Sequence, residues 1–192
     1  MRNPKTQILT EGAIMVALST VLSMITVVRF PWGGGITLLS MLPVCLFSVR
    51  RGLRAGLGVS AVYSALQLFL GITVSGLLGW GLSPVLLIGC MVLDYLLAFF
   101  VLGFSGMFRH KGVPGAIGGI TLCILVRMLC HVCSGALIFH SAGLIWGFDI
   151  ANPWLYSLVY NAAYMLPELA LTAAAAFVLL RLKSTQQFFR PQ

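Results

Sequence analysis

The chain has 192 residues, of which 59% are hydrophobic and 8% are charged, and its mean hydropathy is +1.01. Soluble domains spend roughly a quarter of their residues on charge, so this composition excludes a water-soluble protein. The formal net charge of +8 does not predict a nucleic-acid partner, because the Lys and Arg residues lie in short gaps between apolar runs. That arrangement is typical of the topology signals of a membrane protein.

Apolar segments divide the chain into candidate membrane helices, each close to the roughly 20 residues needed to cross a bilayer. In chain order they are 8–28, 36–50, 53–72, 83–104, 113–139 and 154–181. The second is short, which indicates either little tilt or partial burial within the protein. We therefore predict an all-α membrane protein, a bundle of six transmembrane helices that forms a single integral membrane domain over residues 1–192.

The distribution of Lys and Arg predicts how these helices are oriented. When six helices are threaded, most basic residues fall on one side: Arg2, Lys5, Arg50, Arg51, Arg54, Arg109, Lys111, Arg181, Lys183 and Arg190. Only Arg29 falls on the other side. The positive-inside rule therefore predicts that both termini are cytoplasmic and that the loops 29–35, 73–83 and 140–153 are external.

Metal and catalytic motifs are poorly represented. The five cysteines lie in apolar runs, and an odd number in such places argues against a disulfide framework. Cys130 and His131 are adjacent on one helix, so their side chains point about 100° apart and cannot close around one ion. The G-x-S-x-G elbow and the Walker A motif are both missing from the sequence. We expect no metal, no cofactor and no nucleotide hydrolysis by this chain.

Acidic residues are rare, with four in the chain, and a charge inside a bilayer costs at least about 2.5–3.5 kcal/mol unless it is paired or wet. Asp94 is the most informative, because it lies near the middle of the fourth segment. Arg127 and His131 are four residues apart on the fifth segment and share a helix face. One interpretation is an Asp94–Arg127 ion pair that joins two helices, with His131 packed in the core. The other is a ligand pocket that opens to the outside.

The sixth segment adds side chains that can stack and hydrogen-bond in its external half, namely Tyr156, Tyr160, Asn161 and Tyr164. A small-molecule site combines mostly apolar walls with a few well-placed polar groups. One carboxylate among aromatic and imidazole rings suits a flat organic cation, through ion pairing, stacking and cation–π attraction. An anionic ligand would need more Arg or Lys than this region offers.

The first segment carries a small-xxx-small pair, Ala13 and Ala17. Such a strip lets another helix approach closely in lipid. Packing within the chain and docking onto a second subunit are both consistent with it.

Six stretches carry a family resemblance: LTEGAIMVAL at 9–18, FPWGGGITLLSMLP at 30–43, FSVRRGLRAG at 47–56, LDYLLAF at 93–99, HVCSG at 131–135 and YSLVYNAAYMLPE at 156–168. In this order they resemble the thiamine-specific S component, the substrate-binding subunit of energy-coupling factor (ECF) transporters. The resemblance implies a six-helix bundle that binds thiamine in its external half, with the first loop as a lid. It also implies that Ala13 and Ala17 dock onto a transmembrane coupling subunit driven by two ATPase subunits.

The resemblance further implies a role for individual residues. Trp32 would cover the ligand from the first loop, and Asp94 would face its positive charge or its aminopyrimidine. Tyr95 would line the site, and Tyr63 stands where the family has an aromatic residue. His131, Tyr156 and Asn161 would hold the rings by stacking and hydrogen bonding. Such a subunit is a multi-pass protein of a prokaryotic plasma membrane and is not itself an enzyme.

Two departures keep other ligands open. Family members often have Glu at the position of Asp94. The stretch before it, GLLGWGLSPVLLIGC, lacks the family's usual polar pattern with Tyr, His and Gln, and the aromatic residue beside the expected pocket is Phe139, where related chains have Trp. A thiamine precursor or another flat vitamin is therefore an alternative substrate. An intramembrane enzyme that uses His131 with Asp94 is an alternative of a different kind.

Overall fold

The structure is a computed structural model that describes residues 3–30 and 34–182. Its helices are α1 (Pro4–Met24), α2 (Leu42–Arg51), α3 (Leu53–Thr73), α4 (Pro84–Gly106), α5 (Gly112–Leu137) and α6 (Pro153–Arg181). Two antiparallel hairpins join them on one side. The first hairpin consists of β1 (Thr26–Arg29) and β2 (Gly35–Thr37), and the second consists of β3 (Gly143–Ile145) and β4 (Phe148–Ile150).

Three of the helices begin with an Asn or Ser followed by Pro. Asn3 Oδ1 accepts from the Lys5 amide at 3.1 Å, and Asn152 Oδ1 accepts from the Trp154 amide at 2.9 Å. Ser83 Oγ accepts from the Leu86 amide at 3.4 Å. The side chain accepts from an N–H group that has no partner within the helix. The following proline has no N–H group, so it adds no further donor to satisfy. The local sequence therefore determines where these helices start.

Five of these helical segments are long and apolar enough to cross a membrane, whereas α2 has 10 residues. At 1.5 Å per residue, α2 spans about 15 Å. Residues Leu42 to Arg50 are all buried, in contact with α1, α3 and α4. Of the two interpretations of the short second segment, little tilt or partial burial, the structure agrees with partial burial.

The first two helices differ from the predicted boundaries. α1 ends at Met24 instead of residue 28, and α2 begins at Leu42 instead of residue 36. The β-branched run at Thr26–Val28 favours an extended backbone, and it pairs with Gly35–Thr37. Residues assigned from hydropathy to two helices thus form the first hairpin, because hydropathy alone does not distinguish short apolar strands from helix ends.

Tight packing of α2 against α4 depends on glycine. Ser48 Oγ donates to the Gly103 carbonyl at 2.5 Å and accepts from the Gly106 amide at 3.0 Å. A Cβ on Gly106 would overlap the Ser48 carbonyl. The missing side chain therefore allows the two backbones to approach.

Replacing Gly106 by Ala is expected to destabilise the bundle, because overpacking of this kind costs about 1–3 kcal/mol. Gly118→Ala is the matched control, since a Cβ on Gly118 meets nothing within 4 Å. Thermal unfolding of both variants in detergent measures the difference. Equal midpoints for the two variants would contradict the close approach of α2 and α4.

Candidate functional site

Asp94 is the centre of a polar cluster between α4 and α5. His131 Nδ1 lies 2.8 Å from Asp94 Oδ1, and Ser134 Oγ donates to Asp94 Oδ2. Cys90 Sγ is 3.3 Å from the same Oδ2. The side chains of Asp94 and His131 are 16% and 14% exposed, so this carboxylate is held inside the bundle by α5.

The backbone around Asp94 is not regular α-helix. Residues Met91–Leu97 form a π-helical stretch within α4. Such insertions widen a helix and are frequent at functional sites. Asp94 bonds to α5, whereas the neighbouring Tyr95 packs against α3, where its ring leaves no room for a side chain on Gly71. Tyr95 therefore borders the cluster on the α3 side and does not bond to His131.

Arg127 extends the cluster one turn further along α5. Its Nε lies 3.4 Å from His131 Nε2, and its guanidinium stands 4.1 Å from the ring centre of Phe99. Because an Arg N–H can only donate, Nε2 is the acceptor and Nδ1 carries the hydrogen that is donated to Asp94. The order of donation is thus Arg127, His131, Asp94.

This arrangement corrects one of the sequence interpretations. In the described part of the chain Asp94 and Arg127 form no direct ion pair, and His131 connects them. The direct pair is wrong because the imidazole fills the space between the two groups. Arg127 is 9% exposed, and its Nη1 has no hydrogen-bond partner among residues 3–30 and 34–182. A buried cationic donor without a hydrogen-bond partner is uncommon and requires an explanation.

A second row of polar side chains comes from α6. Asn161 Nδ2 donates to the Ser157 carbonyl at 2.8 Å, and Asn161 Oδ1 accepts from Tyr164 OH at 2.5 Å. Ser157 Oγ donates to the Val132 carbonyl of α5 at 3.0 Å. A side chain on Gly135 would overlap Ser157, so α5 and α6 are in close contact beside His131.

Aromatic rings line the adjacent face of α6. Tyr156 and Tyr160 are stacked, with centroids 6.5 Å apart and an interplanar angle of 14°. Phe30 of the first hairpin lies 6.1 Å from Tyr160 and 5.8 Å from Tyr164. It also meets Trp146 of the second hairpin edge to face at 6.4 Å. Both hairpins are therefore seated on the end of α6 that carries the polar row.

The remaining candidates from the sequence have different surroundings. Tyr63 is fully buried, with its hydroxyl 3.5 Å from the Ser19 and Ser40 carbonyls and its ring edge to face with Phe99 at 5.3 Å. Phe139 is 39% exposed and lies 6.0 Å from Trp80. Trp32 lies outside the described residues. The structure thus brings Asp94 together with His131. On α6, Tyr156 stacks on Tyr160, and Asn161 bonds to Ser157 and Tyr164.

Sequence reasoning did not identify two residues that connect the first hairpin with α6. Phe30 stands at the centre of the ring cluster, and Glu168 is 2% exposed and accepts a hydrogen bond from Thr37. Glu168 continues a row of residues spaced by four on α6, after Tyr160 and Tyr164. That spacing is the signal that could have identified it.

The small-residue pair of α1 lies on the outside of the bundle. Ala13 and Ala17 are exposed, as are Leu9 and Val21 at the same spacing. Within the described residues no group of three or more His, Cys, Asp or Glu side chains could hold a metal ion.

The bundle and its interior cluster define the class of protein, a multi-pass helical membrane protein with a polar and aromatic site between its helices. The chain belongs to the thiamine transporter protein family, whose profile matches residues 9–188. It is 31% identical to the thiamine transporter ThiT of Bacillus subtilis (strain 168), over 86% of this chain and 85% of that protein. A solved structure of ThiT from Listeria monocytogenes matches with a TM-score of 0.72 and 25% identity, over 98% of this chain and 100% of that one. The family resemblance and the all-α membrane fold are thereby confirmed.

Proposed function

We propose that this protein is the thiamine-capturing S component of an ECF transporter. The observation that carries the proposal is the Asp94 carboxylate, which His131 and Ser134 hold inside the bundle beside the aromatic rows of α6. The similarity to transporters named for thiamine supports the same substrate.

The chemistry of thiamine fits this cluster. Its thiazolium ring is a flat cation, which suits an internal carboxylate and the faces of tyrosine rings. Its aminopyrimidine can exchange hydrogen bonds with Asp94, His131 and Asn161. Its hydroxyl group offers an acceptor for Nη1 of Arg127, which has no hydrogen-bond partner in the described part of the chain.

The proposed residues fall into two groups. Asp94, His131, Tyr156 and Asn161 would touch the ligand, since they or their bonded neighbours form the interior cluster. The other proposed residues would complete the walls around the ligand, and these are Tyr63, Tyr95 and Phe139. Trp32 would belong to the first loop, which covers the ligand.

The orientation follows from the basic residues at one end of the bundle. Glu11 of α1 binds Arg50 and Arg51 at the end of α2, and Arg109 Nη1 donates to the Arg50 carbonyl at 3.0 Å. The positive-inside rule makes this end cytoplasmic, with both termini. Ligand would then enter from outside, across the plasma membrane of a prokaryote.

The protein is proposed to bind and deliver its substrate without altering it. His131 Nε2 accepts from Arg127 and therefore has no lone pair available to deprotonate a nucleophile. Ser134 donates to Asp94 and not to His131. These contacts favour a binding site over an intramembrane enzyme built from His131 and Asp94.

Replacing Asp94 by Asn is expected to weaken thiamine binding by at least about 30-fold, because removing one partner of an internal charge pair costs about 2 kcal/mol or more. Asp149→Asn is the matched control, since Asp149 is exposed on β4. Calorimetry and tryptophan fluorescence of purified protein measure the affinity. No heat from wild-type protein with thiamine would remove this substrate, and titration with hydroxymethylpyrimidine would then test a precursor. Equal affinities for the two Asn variants would remove Asp94 from the site.

Replacing Ala13 and Ala17 together by Trp is expected to abolish thiamine uptake by cells and to leave binding by the purified chain unchanged. The reason is that the exposed strip would dock onto the coupling subunit, where bulky side chains prevent close approach. Ala61 and Ala65 of α3 are exposed at the same spacing, so their double Trp variant is the control. Loss of binding in the α1 variant, or equal loss of uptake in the control, would contradict docking through this strip.

A further inference from the structure

One face of α6 contacts the first hairpin and also carries a buried carboxyl group. Tyr160, Tyr164 and Glu168 are spaced by four residues and so lie in one row. The first hairpin meets this row at each step. Phe30 packs on Tyr160 and Tyr164, and the Gly34 amide donates to Tyr160 OH at 3.4 Å.

The contact at the C-terminal end of the row involves a carboxyl group. Thr37 Oγ1, at the end of β2, donates to Glu168 Oε1 and also lies 2.7 Å from Ser40 Oγ. Glu168 is 2% exposed, so its carboxyl group needs a hydrogen-bond partner within the protein, which Thr37 supplies. This bond therefore joins the first hairpin to the interior of the bundle.

The backbone next to this bond is strained. Leu39, between β2 and α2, has φ of 58°, a left-handed conformation that a branched side chain rarely adopts. Such conformations persist only where the surrounding contacts over-determine them. The bond from Thr37 to Glu168 lies two residues away and is one of the contacts that can hold this turn.

We infer that Glu168 is a positioning residue, which holds the first hairpin on α6 through Thr37 and thereby slows the escape of bound ligand. The effect on ligand rests on the proposed function, with thiamine as the ligand. Glu168 touches the hairpin and acts through it, whereas Asp94 acts on the ligand itself.

The seating of the hairpin can be measured without any ligand. Arg29 is exposed, and the following Phe30 is packed among Tyr160, Tyr164 and Trp146. A protease binds the residues on both sides of the cleaved bond, so we expect trypsin to cleave after Arg29 when Phe30 leaves these rings. The rate of that cleavage, followed by mass spectrometry of the intact chain in detergent, therefore reports the fraction of protein in which the first hairpin has left α6.

Thr37→Val is expected to raise the cleavage rate at Arg29 about tenfold or more, because the buried carboxyl group of Glu168 loses its hydrogen-bond partner. Thr37→Ser keeps the hydroxyl and should restore the wild-type rate. Thr26→Val is the matched control. Thr26 is the strand partner of Thr37, and the described part of the chain gives its hydroxyl no hydrogen bond.

Glu168→Gln keeps a side chain of nearly the same shape with an amide oxygen that can accept from Thr37, so its increase should be smaller than that of Thr37→Val. The double variant should be cleaved no faster than Thr37→Val alone, since both substitutions remove one interaction. Additive effects, or equal rates for the Val variants of Thr37 and Thr26, would overturn the assignment. A large effect of Ser40→Ala with none of Glu168→Gln would do the same.

Thiamine release completes the test. With bound radiolabelled thiamine chased by unlabelled thiamine, Thr37→Val should release ligand about tenfold faster, with little change in the association rate. Faster cleavage with unchanged release would overturn the role in retention. If wild-type protein binds no thiamine, the proposed substrate fails, and the cleavage experiment still decides whether Glu168 positions the hairpin.

Discussion

A carboxylate inside a membrane bundle must be bonded, and the bonds of Asp94 organise the centre of this protein. Asp94 takes hydrogen bonds from His131 and Ser134, and His131 accepts one from Arg127. Without water, each of these groups would carry a desolvation cost of several kcal/mol. The chain of donors therefore determines how α4 lies against α5. Asp94 lies within a π-helical stretch in the middle of α4.

Helix α6 contacts both α5 and the first hairpin, and it uses a different row of residues for each. Ser157 and Asn161 face α5, where Ser157 reaches the backbone and Gly135 allows close approach. Tyr160, Tyr164 and Glu168 face the first hairpin. A helix repeat of 3.6 residues permits this division, since rows offset by one residue point about 100° apart. Any movement of the first hairpin is consequently a movement relative to the helix that carries the polar row of the site.

The opposite end of the bundle is built from different interactions. Glu11, Arg50 and Arg51 form ion pairs, and Arg109 bonds to the end of α2. Next to them, the short α2 is enclosed by its neighbours and packs on α4 through glycine. The exposed row of Ala13 and Ala17 begins two residues after Glu11, on the outer face of α1. The proposed interior site and the proposed docking strip are thus separate features of one bundle.

The sequence by itself determined that the protein lies in lipid, how many helices to expect and which polar residues lie at its centre. Long apolar runs need lipid, and the high cost of charge in lipid made Asp94, Arg127 and His131 conspicuous. The tertiary structure decided which partners these groups take. Arg127 and His131 are both suitable partners for a carboxylate, and only the relative placement of α4 and α5 selects the imidazole. The structure also decided that 26–29 and 35–37 are strands and that Glu168 meets Thr37 across 131 positions of sequence, because pairing between distant segments leaves no local pattern to read.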